Sequence, residues 1–61
     1  MKGLAADIYV RDVADAIKVV YLIIDGGEYD QVILERGARG KIWVHVSYLK
    51  NNESRHQVFI N

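Results

Sequence analysis

The segment KIWVHVSYL, residues 41–49, shows the clearest β-strand pattern in this 61-residue chain. Aliphatic side chains alternate there with aromatic and polar ones, which is the period of two expected of a strand with two different faces. The two predicted faces consist of Ile42, Val44, Val46 and Tyr48 on one side and Trp43, His45, Ser47 and Leu49 on the other. We therefore expect an aliphatic face that joins a core and a mixed face that does not.

A second strand is predicted near the start of the chain, in a run of β-formers that ends at Val10. The alternation places Ile8 and Val10 on one face and Asp7 and Tyr9 on the other. Each of the two strands therefore carries a metal-binding residue type, Asp7 or His45, opposite its aliphatic side chains.

Between these strands, residues 12–25 predict an α-helix. Asp12 is suited to be its N-cap, Asp15 places an acid in the first turn, and Gly26-Gly27 provides a stop. Apolar residues at helical spacing form the expected core stripe: Val13, Ala16, Ile17, Val20, Tyr21 and Ile24. Three more aliphatic residues lie off this stripe: Val19, Leu22 and Ile23. Either the sheet wraps around the helix, another chain covers them, or they are ordinary exposed aliphatics.

Two further strands are predicted at residues 29–35 and 55–60, with turns at 37–40 and 51–53. The order is strand, helix, strand, strand, strand. Short turns join the last three strands, so we expect them to form an antiparallel meander. The expected architecture is one small α+β domain spanning residues 1–61, with a helix packed on a small antiparallel sheet.

Composition narrows the classes of partner. Eight basic and eight acidic side chains cancel, which indicates neither nucleic acid nor an anionic membrane as a partner. The longest apolar run, residues 19–24, is too short to span a bilayer, and no signal peptide is recognisable.

The chain has no cysteine, which excludes thiolate metal sites and disulfides. Domains of this length are marginal and often depend on a metal or a partner.

Asp7 and His45 are the pair with the clearest chemical potential. A carboxylate oxygen and an imidazole nitrogen are both good zinc ligands, but zinc needs at least three ligands from the protein. From residue types alone, the alternative is a surface aspartate and a strand histidine whose hydrogen bonds are simply satisfied.

Four sequence elements occur in the order found in one enzyme family. They are residues 3–7 (GLAAD), 29–35 (YDQVILE), 43–47 (WVHVS) and 54–58 (SRHQV). Together they resemble the zinc D-alanyl-D-alanine carboxypeptidase family, which includes phage cell-wall endopeptidases and shares its fold with the hedgehog signalling domain. Phage and prophage members commonly carry Ser-x-His-x-x-Gly-x-Ala-x-Asp, Phe-Asp-Gln-Leu-Ile-x-Glu, Trp-Val-His-Val-Ser and Asn-Arg-x-Gln-Val. The resemblance covers nearly the whole chain.

The resemblance implies a zinc hydrolase that acts on peptidoglycan stem peptides. In it, Asp7 and His45 are the second and third zinc ligands. Glu35 is the nearest motif-matched catalytic acid, and Asp30 is the second choice. From its residue type alone, the alternative for Glu35 is a solvent-facing acid on an edge strand.

The resemblance also implies that Trp43 walls the zinc face and that Ser47 contributes to substrate binding. The alternative for Trp43 is a large ring beside a turn that packs on a small core. His56 stands where the family tends to carry Arg, so we do not assign it to the metal.

The chain departs from the family at two positions. The family's first zinc ligand is a His three residues before the motif glycine, and this position falls immediately before Met1. Several relatives also use a Glu three residues before the last His ligand, where this chain has Ile42. We therefore expect a truncated domain, either a prophage remnant or a frame read from an internal Met codon, that is inactive as this 61-residue chain. Its location stays open between the cytoplasm and an association with phage.

Two other hypotheses stay open. One is a small homo-oligomeric interaction or structural protein that reuses the fold, motivated by the apolar excess on the helix. The other is an enzyme assembled across chains, in which two copies pool their Asp7 and His45 pairs around shared metal ions.

Overall fold

The computed structural model describes residues 3–49 and 54–61. Its elements, in chain order, are β1 (Leu4–Val10), α1 (Val13–Gly26), β2 (Gln31–Arg36), a short 3₁₀ turn (Ala38–Gly40), β3 (Ile42–Tyr48) and β4 (Gln57–Ile60). The predicted α+β class and element order are confirmed. The turn predicted at residues 51–53 lies outside the described residues.

The strand with the clearest pattern, β3, lies inside the sheet, whose order is β1-β3-β2-β4. Both β1 and β2 pair with β3 in antiparallel orientation. The fourth strand, β4, pairs with β2 in parallel orientation, so the sheet is mixed and the predicted antiparallel meander is wrong at its last strand.

Two features of the sheet explain why β4 lies beside β2. After α1, β1 and β2 occupy both edges of β3, which leaves no edge on which β4 could complete a meander. The backbone N–H of Gln57 also donates to the carbonyl of Asp30 at 2.9 Å, so β4 begins level with the start of β2. Because both strands start at the same end of the sheet and cross it, they run in the same direction and pair in parallel.

The helix α1 is defined at both ends by its own sequence. Asp12 is the N-cap, and its carboxylate accepts a hydrogen bond from the backbone N–H of Asp15 at 2.8 Å. Gly27 is in left-handed conformation (φ 77°) and its N–H donates to the carbonyl of Ile24 at 3.0 Å. In the described part of the chain, no helix is long and apolar enough to cross a membrane.

One face of the sheet packs against α1 and forms the core. The buried apolar residues are Ala16, Tyr29, Val32, Leu34, Val44 and Val46. Val19 and Ile23, which the sequence placed off the helical stripe, pack against this core. Ile17 and Tyr21, which it placed on the stripe, are exposed instead. The helix packs on β1, β3 and β2, so its flank towards β4 stays uncovered.

The other face of the sheet, which we call the open face, has no helix on it in the described part of the chain. By strand register its residues are Ala5, Asp7, Tyr9, Gln31, Ile33, Glu35, Trp43, His45, Ser47, Gln57 and Phe59. The two-faced character predicted for residues 41–49 is therefore confirmed.

A candidate metal pair on the open face

The site residues expected from the sequence all come from strand positions on the open face. Register sets Asp7 directly opposite His45, and it sets Trp43 opposite Glu35. Ser47 lies two residues beyond His45 on the same face of β3. The period-two alternation of three neighbouring strands brings these residues to one surface, although they are far apart in sequence.

Asp7 and His45 form a direct hydrogen-bonded pair. Asp7 Oδ1 and His45 Nδ1 are 2.8 Å apart, and the side chains are 46% and 32% exposed. His45 Nε2 has no hydrogen-bond partner among residues 3–49 and 54–61. A histidine held through Nδ1 by a carboxylate keeps a fixed ring orientation, with its second nitrogen directed outward.

The geometry of this pair suits two ligands of one zinc ion after a small opening. Ligand distances of about 2.1 Å and a tetrahedral angle separate two zinc-bound N and O atoms by about 3.4 Å. The observed 2.8 Å is shorter, so the side chains would move apart by roughly half an ångström to admit the ion. Rotation of two partly exposed side chains achieves such a shift.

The described residues do not complete a zinc site. Among them, no group of three or more His, Cys, Asp or Glu side chains is arranged to hold a metal. Asp7 and His45 therefore fit two positions of a zinc site that needs at least one further protein ligand.

Glu35 lies on β2, one row away from the pair. It is opposite Trp43, which makes it a diagonal neighbour of His45 across two adjacent strands. Diagonal neighbours are about 7–8 Å apart, within reach of a long side chain or one bridging water. Although β2 lies between β3 and β4, its pairing with β4 ends at Leu34, so Glu35 lies one residue beyond the paired stretch with a half-buried side chain.

Trp43 builds a wall beside the pair. Its ring lies 5.5 Å from the ring of Tyr9, centroid to centroid, with the planes tilted by 35°. It also rests on the turn between β2 and β3, where a Cβ atom added to Gly37 would lie 2.8 Å from the ring. Trp43 therefore packs beside a turn, as its structural alternative held, and it does so on the open face.

Ser47 has a buried hydroxyl. Its Oγ makes no hydrogen bond of acceptable geometry within the described residues. The hydroxyl lies close enough to the Asp30 carboxylate to favour its charged form, and the Ser47 carbonyl accepts the backbone N–H of Asp30 at 2.7 Å. The side chain thus faces the start of β2.

Asp30, the second choice for a catalytic acid, is committed to an ion pair. Its side chain is buried and accepts two hydrogen bonds from the guanidinium of Arg55, Nε to Oδ1 at 2.9 Å and Nη2 to Oδ2 at 2.8 Å. The backbone N–H of Arg55 adds a third at 2.9 Å. These hydrogen bonds lower the pKa of Asp30 from 3.8 to about 2. A carboxylate so stabilised is a poor base.

The Asp30–Arg55 pair joins two of the four motif elements, and sequence reasoning did not find it. Beside it, Gln31 Nε2 donates to Gln57 Oε1 at 3.0 Å. The available signal was that an Asp-Gln and an Arg-x-Gln each precede a run of β-formers. Two polar groups at the starts of two strands meet only if those strands are parallel neighbours.

His56 belongs to a different part of the molecule. Its Nε2 lies 3.0 Å from the carbonyl oxygen of Gly27, and its ring meets Tyr29 edge to face at 5.1 Å. His56 also has a positive φ of 55°, a left-handed backbone conformation directly before β4. It is therefore a contact at the C-terminal end of α1 and does not join the Asp7–His45 pair.

Comparisons of the chain with protein-family models, with curated proteins and with solved structures found no match.

Proposed function

We propose that this chain is part of a zinc-dependent peptidase domain of the D-alanyl-D-alanine carboxypeptidase type. In this proposal Asp7 and His45 supply two of its zinc ligands, and the 61-residue polypeptide alone does not hydrolyse peptides. The observation that carries it is the 2.8 Å contact between Asp7 Oδ1 and His45 Nδ1, on neighbouring strands of the open face. The order of the four sequence elements supports the same assignment.

Six residues of the open face have roles in this proposal. When bound, zinc acidifies a water molecule and polarises the carbonyl of the scissile bond. Asp7 and His45 hold the ion, and the carboxylate of Glu35 accepts a proton on the same face. Trp43 and Tyr9 wall the site and exclude water from one side of a stem peptide. Ser47 supports the site indirectly, through its contacts with the start of β2.

Zinc titration by calorimetry tests the proposal. We expect weak zinc binding by the 61-residue chain, because two ligands do not satisfy the ion. Asp7→Ala and His45→Ala should each weaken this binding by roughly tenfold or more, since loss of a residue that merely orients a ligand already has that effect. His56→Ala is the matched control and should bind zinc like the parent chain, because His56 contacts Gly27 instead.

A second experiment adds a histidine as the third zinc ligand. An N-terminal extension that ends in Ser-x-His directly before Met1 should tighten zinc binding, and the gain should vanish in His45→Ala. Release of D-alanine from a peptide ending in D-alanyl-D-alanine is the activity to measure. Equal zinc affinities for the parent chain, Asp7→Ala and His45→Ala would refute the proposal. Sub-micromolar binding by the unextended chain, lost in both variants, would instead place the third ligand on a second copy.

The competing function is a small oligomeric interaction or structural protein. The observation that favours it is the apolar surface left exposed on β4 and on the adjacent flank of α1. A monomeric mass by light scattering at micromolar concentration would count against it.

A further inference from the structure

The edge strand β4 lacks the usual protection against pairing. Its sequence, Gln57-Val58-Phe59-Ile60, contains no charge and no proline, and Ile60 is 74% exposed. The opposite edge strand, β1, carries Asp7 at its centre. Unguarded apolar edges are the places where sheets recruit another strand.

The backbone of β4 offers hydrogen-bonding groups on its outer side. The N–H groups of Gln57 and Asn61 donate to the carbonyls of Asp30 and Leu34, each at 2.9 Å. Because backbone groups alternate in direction along a strand, those of Val58 and Ile60 point away from β2. In the described part of the chain nothing pairs with them.

An apolar groove runs along the helix side of β4. Its volume is about 290 Å³, and its lining includes Ile17, Val20, Tyr21, Ile24, Val58 and Ile60. The groove exists because α1 packs on the other three strands and leaves β4 projecting beyond it. Tyr21, 68% exposed, forms its outer rim.

We propose that β4 pairs in antiparallel orientation with β4 of a second copy, about a two-fold axis that passes beside Phe59. In this register Val58 of each copy lies opposite Ile60 of the other. The two residues of each pair exchange both N–H···O bonds, so four hydrogen bonds form with groups that already point outward. Phe59 lies opposite its own symmetry mate, at the closer, non-hydrogen-bonded position.

A second copy fits this edge because the edge is complementary to itself. An axis at Phe59 pairs every apolar residue of β4 with another apolar residue. An axis at Val58 or Ile60 would instead place apolar residues opposite polar ones, or opposite positions beyond the end of the strand. Net charge is zero, so two copies do not repel each other over distance. A two-fold interface also closes on itself and does not propagate into fibres.

The area available is compatible with a small dimer. Phe59 and Tyr21, 44% and 68% exposed, leave roughly 200 Å² of aromatic surface in water per chain. A standard interface buries about 800 Å² per partner. The exposed parts of Ile17, Val58 and Ile60 add to this surface but do not bring it to about 800 Å², so the interface is smaller than the standard size. The pairing leaves Asp7 and His45 uncovered, so it is independent of the zinc proposal.

Cysteine cross-linking tests the register, since the chain has no native cysteine. In Phe59→Cys the paired Cα atoms would lie about 4.5 Å apart, within the range that a disulfide spans. We expect air oxidation to convert most of this variant to a covalent dimer well before it does so for Leu22→Cys, whose site is 73% exposed but lies on the helix. Equal rates for the two variants would overturn the proposed register.

Sedimentation equilibrium tests the dimer itself. The parent chain should show twice its 7.0 kDa mass at high micromolar concentration. Val58→Pro should be monomeric and folded, because it removes an N–H that β2 does not use, and proline is tolerated on edge strands. Leu22→Lys should remain dimeric. A monomeric parent chain would overturn the proposal, as would a folded, dimeric Val58→Pro variant.

Discussion

At the scale of single residues, the carboxylate of Asp30 accepts more hydrogen bonds than any other side chain in the described residues. Three hydrogen bonds from Arg55 reach it, and the backbone carbonyl of Asp30 also accepts the N–H of Gln57. One residue therefore sets both the position and the direction of β4. The acid that the sequence offered as second choice for catalysis is a structural residue.

This ion pair predicts a pH dependence of stability. The pKa of Asp30 is lowered from 3.8 to about 2 because Arg55 donates to the charged form. The folded protein thus holds the proton less readily than the unfolded chain. The stabilisation is fully present above pH 3.8 and is lost as the pH falls through about 2.

Urea unfolding, repeated between pH 6 and pH 2 in steps of roughly one pH unit, measures this effect. Asp30→Asn should lower the urea midpoint at pH 6 and flatten its fall in acid. Asp25→Asn, an exposed carboxylate near the end of α1, is the control and should follow the parent curve. A parent-like acid slope in Asp30→Asn would show that other carboxylates govern acid unfolding.

At the scale of elements, the hairpin of β2 and β3 depends on close contact between its turn and Trp43. The turn contains Arg39 and Gly40 at positive φ (61° and 74°), and it is closed by the N–H of Gly37 donating to the carbonyl of Lys41 at 2.8 Å. The indole lies against Gly37, where no side chain fits. The turn and the aromatic pair on the open face are thus one packed unit.

Substituting this glycine should therefore disturb both. Gly37→Ala places a methyl group 2.8 Å from the indole, so we expect a loss of about 1–3 kcal/mol in the free energy of unfolding. Because Trp43 is the only tryptophan, its fluorescence should shift in the same variant.

The helix provides the matched control for this substitution. A Cβ atom at Gly26 meets nothing within 4 Å, so Gly26→Ala should leave fluorescence unchanged. It should stabilise the fold by about 0.5–1 kcal/mol, since alanine is preferred over glycine within a helix. Identical effects of the two substitutions would mean that the indole does not rest on the turn.

At the scale of the whole molecule, one helix covers three strands on one face of a four-stranded sheet. The Cα atoms extend over 37 × 21 × 15 Å, which is a thin, two-layer shape. The open face and the β4 edge are both left without cover in the described chain. A domain so thin gains much from any partner that covers apolar surface.

Dimerisation through β4 should make thermal stability depend on concentration. Association adds stability by mass action, so the unfolding midpoint of the parent chain should rise when its concentration is raised about 100-fold. The midpoint of Val58→Pro should not change over the same range. Calorimetric scans at matched concentrations compare the two, and a constant midpoint for the parent would speak against association.

Local pattern was sufficient for much of this fold. Alternation along residues 41–49 assigned two faces to β3, and capping by Asp12 and the glycine pair after residue 25 placed the helix within a residue or two. The same alternation put Asp7 and His45 on one face. Such features depend on neighbours in sequence, where backbone period and capping chemistry suffice.

Features that depend on contacts between distant segments needed the folded chain. Sequence did not predict that β4 would run parallel to β2, because that direction follows from Asp30 and Arg55 meeting and from both edges of β3 being occupied. Nor did it predict which flank of α1 would be covered. Val19 packs against the core and Tyr21 is exposed, which is the reverse of the expectation. Helical spacing shows that a face is apolar, whereas only the placement of the helix over particular strands determines which residues it buries.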